Sequence, residues 1–271
     1  MKNLKLCVKI LLLIVGFHII IFPAHATFIS IKTQIDSVTV IEEGGTGNII
    51  LTNLGDEPAF DVSYSIILPT GFSSEPVYVG RLDQGESITN SVSVYIDSER
   101  LKPGSYPAAL IVSYADANSY PFSSVSPFTI FNRERTISQV LGIIESTKIQ
   151  NDETEKLTVH IKNPSENKLN LTVKLFLPKE LDTTLVEKKF VISSSDDIEV
   201  DFEVSSFSAL SGSTYSVFAS LSYEEDGKMF SSFSPGSITI ESQSPAKSNR
   251  ILEIILILLI AVFLLYQLRK R

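Results

Sequence analysis

The chain has 271 residues with a formal net charge of −8, room for two domains of about 100 residues each. Of its 23 basic and 31 acidic residues, six and one lie in the two hydrophobic ends, so the body between carries about −13 and opposes binding to a phosphate backbone. The single cysteine, Cys7, sits in the first of those ends; with that end removed, no disulfide or thiolate metal site is possible and stability must come from apolar burial.

The N-terminus begins with Lys2, Lys5 and Lys9, continues through an almost wholly apolar run over residues 10–22, and reaches Ala24-His25-Ala26. A basic start, an apolar core and small residues at −3 and −1 predict a secretory signal peptide over residues 1–26, with Ala24 and Ala26 marking cleavage before Thr27. An uncleaved anchor is the alternative.

The body repeats itself. Asn53 answers Asn163, Pro69 answers Pro178, Tyr106 answers Tyr215, and Phe122-Ser123-Ser124-Val125-Ser126-Pro127 answers Phe230-Ser231-Ser232-Phe233-Ser234-Pro235. The offset of about 109 residues is a whole domain rather than a solenoid unit. Residues 27–132 and 137–241 are therefore expected to be two copies of one domain.

Each copy alternates with period two. Phe60, Val62, Tyr64, Ile66 and Leu68 are expected on one face of a strand, and Leu169, Leu171, Val173, Leu175 and Leu177 on one face of its counterpart. Tyr106, Ala108, Leu110, Val112 and Tyr114 match Tyr215, Val217, Ala219, Leu221 and Tyr223. One apolar face per strand implies sheets covered on one side only, paired into sandwiches. Turn signals agree: Gly44-Gly45-Thr46-Gly47 reads as a tight turn, Pro103-Gly104 as a turn, and Asp226-Gly227 as a two-residue hairpin. The predicted fold class is all-β, two tandem immunoglobulin-like β-sandwiches, followed by one C-terminal transmembrane helix. The short connection Phe131-Asn132-Arg133-Glu134-Arg135 predicts domains held end to end.

Residues 242–250 form a short polar stalk, and residues 251–268 an apolar run broken by Glu253 and Gln267. Eighteen helical residues reach about 27 Å, enough for a bilayer core. Residues 269–271, Arg-Lys-Arg, follow as a cytoplasmic tail. The expected topology is single-pass in the cell membrane, ectodomain outside and C-terminus inside, with the lipid bilayer as one partner. No LPxTG-type sorting motif precedes the apolar run.

The stretches Val79-Gly80-Arg81-Leu82-Asp83-Gln84-Gly85-Glu86-Ser87, Leu101-Lys102-Pro103-Gly104-Ser105-Tyr106-Pro107 and Val112-Ser113-Tyr114-Ala115-Asp116 resemble immunoglobulin-fold repeats of prokaryotic, notably archaeal, envelope proteins. These include S-layer-like proteins and the CARDB and NEW3 domains. The second copy keeps Asn163, Pro178, Gly212, Tyr215 and Tyr223 but has Ser193-Ser194-Ser195-Asp196 where the Gly-Glu turn falls. The resemblance implies an extracellular structural, adhesive or accessory role, with another envelope protein or a glycan as partner and no nucleic acid.

Candidate chemistry is sparse. His160, flanked by Val159 and Ile161, is expected on an outer strand face, and one histidine cannot build a zinc site. Glu42-Glu43, Asp196-Asp197 and Glu224-Glu225-Asp226 fall in predicted turns, without the alternating spacing of a calcium loop. The glycine run precedes a strand, whereas phosphate loops feed a helix. No catalytic residue, cofactor or metal is expected. Asn170-Leu171-Thr172 is a glycosylation sequon with Asn170 predicted outward. Phe72, Tyr78, Tyr120 and Phe207 lie near predicted loops, either as interaction aromatics for a sugar or protein partner or as anchors of the loops to the core.

Overall fold

A computed structural model describes residues 28–97, 101–150 and 153–241. The signal segment with Ala24 and Ala26, the stalk, the apolar run over 251–268 and the basic tail lie outside the described residues. Every regular element within them is a strand, and among the described residues no helix is long and apolar enough to cross a membrane.

The first half contains β1 (Ile31–Ile35), β2 (Val38–Val40), β3 (Gly44–Asn53), β4 (Ala59–Ile67), β5 (Phe72–Ser73), β6 (Val77–Leu82), β7 (Ser87–Ile96), β8 (Gly104–Ala115) and β9 (Pro121–Asn132). The second contains β10 (Leu141–Ile144), β11 (Thr147–Gln150), β12 (Thr154–Lys162), β13 (Leu169–Phe176), β14 (Leu181–Thr183), β15 (Glu187–Ile192), β16 (Asp197–Ser206), β17 (Thr214–Glu225) and β18 (Lys228–Glu241).

The pairing repeats strand for strand. One sheet runs β1-β3-β7-β5, and its counterpart runs β10-β12-β16-β14. Opposite the first lie β6-β4-β8-β9, with β2 added parallel to β9; opposite the second lie β15-β13-β17-β18, with β11 added parallel to β18. In each half the chain therefore starts on one sheet and crosses to the other after one short strand. Each half has its own core: Ile49, Leu51, Tyr64, Leu82 and Leu110 in the first, Leu157, Ile161, Leu171, Phe202 and Leu221 in the second.

Two buried devices recur. Asn53 donates to the carbonyls of Glu57 and Leu82 and accepts from the Gly55 amide, while Asn163 donates to those of Asn167 and Ser193 and accepts from the Ser165 amide. Each asparagine satisfies backbone groups of two turns that would otherwise be buried unpaired. Each half also carries a tyrosine corner: Tyr106 donates to the Lys102 carbonyl at 2.8 Å, and the Tyr215 hydroxyl accepts from the Leu210 amide at 3.0 Å. The Asp226-Gly227 hairpin has both residues at positive φ, +50° and +73°, as a two-residue turn between antiparallel strands requires.

Four expectations change. Phe60 does not face the core: a bulge at Phe60-Asp61, with Asp61 at φ +50°, turns Ala59 and Val62 inward and leaves Phe60 outside beneath Arg81. The glycine run is not the turn. Glu42-Glu43 make the turn, and the glycines begin β3, where a Cβ on Gly45 would meet the Thr39 carbonyl oxygen at 2.1 Å. The sheets are not covered on one side only, because β4, β8, β9, β13, β17 and β18 are apolar on both faces over part of their length. The domains, finally, are not end to end: β8 and β9 of the first lie beside β13 and β18 of the second, with Ala109 and Val125 packed on Phe176 and Met229 paired with Gly104.

Candidate functional site

The site is the seam between the domains. Alternation puts Tyr106, Ala108, Leu110 and Val112 into the first core, which leaves Ala109 and Ile111 pointing away from it. They join Ile67 and Val125 on one side of the seam and meet Phe176, Phe218 and Phe233 on the other; Phe176 is 1% exposed. Burial of Phe176, Ala109 and Val125, with partial burial of Phe218, Phe233, Ile67 and Ile111 around them, contributes several kcal/mol at roughly 25 cal/mol per Å².

One end of the seam is clasped by backbone. Met229 pairs with Gly104 in parallel register, and its amide donates to the Pro103 carbonyl at 2.9 Å. Gly104 sits at φ +131°, and a Cβ there would fall 2.1 Å from the Met229 carbonyl oxygen, so both conformation and space demand glycine. Thr136 exchanges hydrogen bonds with Ser105 and donates to the Met229 carbonyl. Lys102 pairs with Glu224 and Lys228 with Glu134 across the connection.

The other end opens into a cleft of about 710 Å³. Phe28, Tyr114, Phe122, Leu210 and Tyr215 line it, together with the carboxylates of Glu57, Asp116 and Glu180. Glu180 is 2% exposed and accepts from the Ser123 amide at 2.5 Å and hydroxyl at 2.6 Å, while Ser123 Oγ accepts from the Lys179 amide at 2.7 Å. Its own carbonyl takes the amides of Phe207 and Ser208. One residue thus ties β9 of the first domain to the β16–β17 loop of the second. No cation pairs with Glu180 among the described residues. Burial pushes the Tyr114 phenol up to about 12, with the nearby Glu180 and Tyr215 adding to it, and raises Tyr215 as well, so both stay protonated hydrogen-bonding groups at neutral pH.

The residues singled out from sequence scatter. Phe72 is a core residue, not an available aromatic: it packs edge-on against Tyr106 at 5.1 Å between ring centroids. Tyr78 is exposed on β6 and donates to the Asp61 carboxylate at 3.1 Å. Tyr120 belongs to the seam, its hydroxyl donating to the Ser208 carbonyl at 2.8 Å and its ring lying 5.2 Å from Phe122. Phe207 is 80% exposed at the mouth of the same end. Asn170 is exposed on β13 between buried Leu169 and Leu171. His160 lies on the outer face of β12 between Glu145 and Glu199, at 3.7 and 3.4 Å. Glu224 is engaged by Lys102, and Glu225 accepts from Asn167 at 2.6 Å. Among the described residues no group of three or more His, Cys, Asp or Glu could hold a metal ion.

Sequence reasoning missed Glu180, Ser123 and the outward phenylalanines. The signal was present in the unbroken apolar run from Ala108 to Val112, which marks a strand buried on both faces.

The geometry defines an all-β protein of immunoglobulin-like type. No family model matches the sequence, and no curated protein matches it. Among solved structures it is similar to red sea bream transglutaminase, at 11% identity and a TM-score of 0.28 over 78% of this chain and 32% of that one. It is similar to Salmonella α2-macroglobulin at 7% identity and a TM-score of 0.33, over 80% of this chain and 16% of that one. It is similar to the periplasmic chaperone SfaE at 11% identity and a TM-score of 0.31, over 77% of this chain and 100% of that one. The chain thus spans a third or less of the first two, and likenesses this distant carry no activity over to it.

Proposed function

We propose that the chain is a non-enzymatic surface protein, held in the cell membrane by residues 251–268, whose paired immunoglobulin-like domains serve a structural, adhesive or protein-interaction role in the envelope. The observation that supports this most is the seam. Two copies of one sandwich have turned their outer faces apolar and joined through Phe176, Gly104 and Glu180 into a single unit. A rigid double module presents loop surfaces in fixed relation, which lowers the entropic cost of engaging a partner. The signal-like segment and the terminal apolar run place that module outside the membrane in this reading.

The test uses intact cells expressing the full chain with an epitope after Arg271. External protease is expected to remove the sandwiches and leave a short tagged membrane fragment. Full protection until the cells are lysed would overturn the reading. Cross-linking of intact cells then separates partner classes, recovering an envelope protein under the leading reading.

A second reading, carbohydrate binding, draws on the cleft, where Phe28, Tyr114 and Phe122 stand beside Glu57 and Asp116. Glycan-array binding that disappears in Phe28→Ala would favour it; Phe72, being buried, is no probe for it.

A further inference from the structure

The described chain begins and ends at one end of the molecule, and exposed apolar side chains gather on the loops there. The Phe28 amide donates to the Asp56 carboxylate at 2.7 Å, and Phe28 lines the open mouth of the cleft with Asp116 and Leu210. On the other domain, the Gly212 amide donates to the Ile240 carbonyl at 2.7 Å, which fixes the last strand beside the β16–β17 loop. Tyr120 and Ser208 join the two sets of loops. Around this end stand Phe207 at 80% exposure, Leu54 at 57%, Phe28 at 56% and Leu210, partly exposed. The residues at the clasped end, where Thr136 holds Met229, lie about 35 Å away along twelve-residue β8.

Residues 242–250 follow directly. Nine residues extend at most about 30 Å, and the apolar run 251–268 comes next. Glu241 and this tether keep the end bearing Phe207 within about 30 Å of whatever holds that run. Large apolar side chains clustered on loop tips mark a contact surface, and aromatic and leucine side chains partition into the headgroup boundary of a bilayer.

We infer that this end rests on the lipid surface, with Phe207, Leu54, Phe28 and Leu210 dipping into the interface, so that the double sandwich stands upright on the membrane rather than swinging on its stalk. The inference rests on the reading that residues 251–268 are held in the bilayer. Asp56, Glu57 and Asp116 rim the same end, so apolar burial supplies the attraction and anionic lipid opposes it.

The chain contains no tryptophan, so a single substituted one reports its own surroundings. Full-length Phe207→Trp and Leu54→Trp are reconstituted in phosphatidylcholine vesicles with and without acyl-brominated lipid. Ile137→Trp, 88% exposed at the clasped end, is the comparison. The expected result is a blue-shifted emission that falls by about half with brominated lipid for the first two variants and not for Ile137→Trp. Vesicles that retain the chain through carbonate extraction yet leave both loop tryptophans unquenched would overturn the inference and leave the anchoring reading standing. Quenching of all three would overturn it as well. Release of the chain by carbonate would sink the anchoring reading and the inference with it.

Discussion

The two sandwiches have the same nine strands in the same pairings, yet they solve three local problems differently. The first bulges β4 at Phe60-Asp61, while the counterpart β13 runs regular through Leu169 and Asn170. Beside the buried asparagine, the first uses Gly85 at φ +73°, and the second puts Ser195 at φ +57° into the same role. On the outer edge, Lys32 and Gln34 of β1 correspond to Leu141 and Ile143 of β10 by their pairing with β3 and β12. What stayed constant is the satisfaction of buried backbone groups; what drifted is surface polarity and turn strain. The seam belongs to neither copy alone, and its side chains follow from duplication only in position, not in chemistry.

The largest way to break the pairing of the copies is to empty the seam. Phe176→Ala is expected to cost about 3–5 kcal/mol and to split one unfolding transition into two, because the cavity lies between the cores rather than within one. Calorimetry of the full chain in detergent checks this, and a single, merely shifted transition would mean the seam is not what couples the domains. Glu180→Ala, which leaves the Ser123 amide buried without its acceptor, is expected to cost about 1–3 kcal/mol and to be non-additive with Ser123→Ala.

A sharper comparison is within the cores. Asn53→Ala strands two carbonyls and an amide, and Asn163→Ala strands the Ser193 carbonyl and the Ser165 amide while the Asn167 carbonyl keeps the Ser165 hydroxyl; each is expected to cost about 1–3 kcal/mol, with the two values close to one another. A cost at one site several times that at the other would show that the copies have diverged in how their turns are held. Both measurements are denaturant midpoints with the slope unchanged.

The Asp226-Gly227 hairpin was legible because it is a local device with a sequence mark, whereas the asparagines and the corner tyrosines were legible only as matching positions of the repeat. The bulge was not, since Asp61 carries no signal that forces positive φ and the alternation from Phe60 to Leu68 looks unbroken. Glu180 was not legible either. It reads as a surface carboxylate after Pro178-Lys179, and only the approach of β9 from the other domain buries it. Phe207 stood out as an aromatic in a loop, but its sharing an end with Phe28 and Leu54 depends on the packing of the two domains that the short connection hid. The signal segment and the apolar run were read from sequence alone.

Smaller effects follow from the turn that differs. Ser195→Gly is expected to stabilise the second domain by about 0.5 kcal/mol, because relief of left-handed strain slightly exceeds the added freedom of the unfolded chain. Gly85→Ser is expected to destabilise the first by about 1 kcal/mol with no steric component, since nothing lies within 4 Å of a Cβ there. Opposite signs at corresponding positions would establish that the two turns are one device; equal signs would separate them.

The smallest contrast is in how each domain responds to acid. The Asp116 carboxyl is held below its usual range first by the Tyr120 amide and then by Asn118, which close the β8–β9 turn. The Asp201 carboxyl is held down first by its bond to Lys156, with Thr158 and Lys188 adding to it. Both folded values lie below the unfolded ones, so both contributions are present above about pH 4 and are lost as pH falls through the folded values. Salt separates them. At 1 M the Debye length is about 3 Å, which weakens the exposed Lys156–Asp201 pair but leaves the amide bonds to Asp116 in place. Melting of the single transition from pH 7 to pH 3 should therefore show a small acid loss at low salt and a smaller one at high salt, where Asp116 supplies the remainder. Asp116→Asn, which still accepts from Tyr120 but does not titrate, should remove that remainder; if the high-salt loss persists in this variant, the turn is not its source.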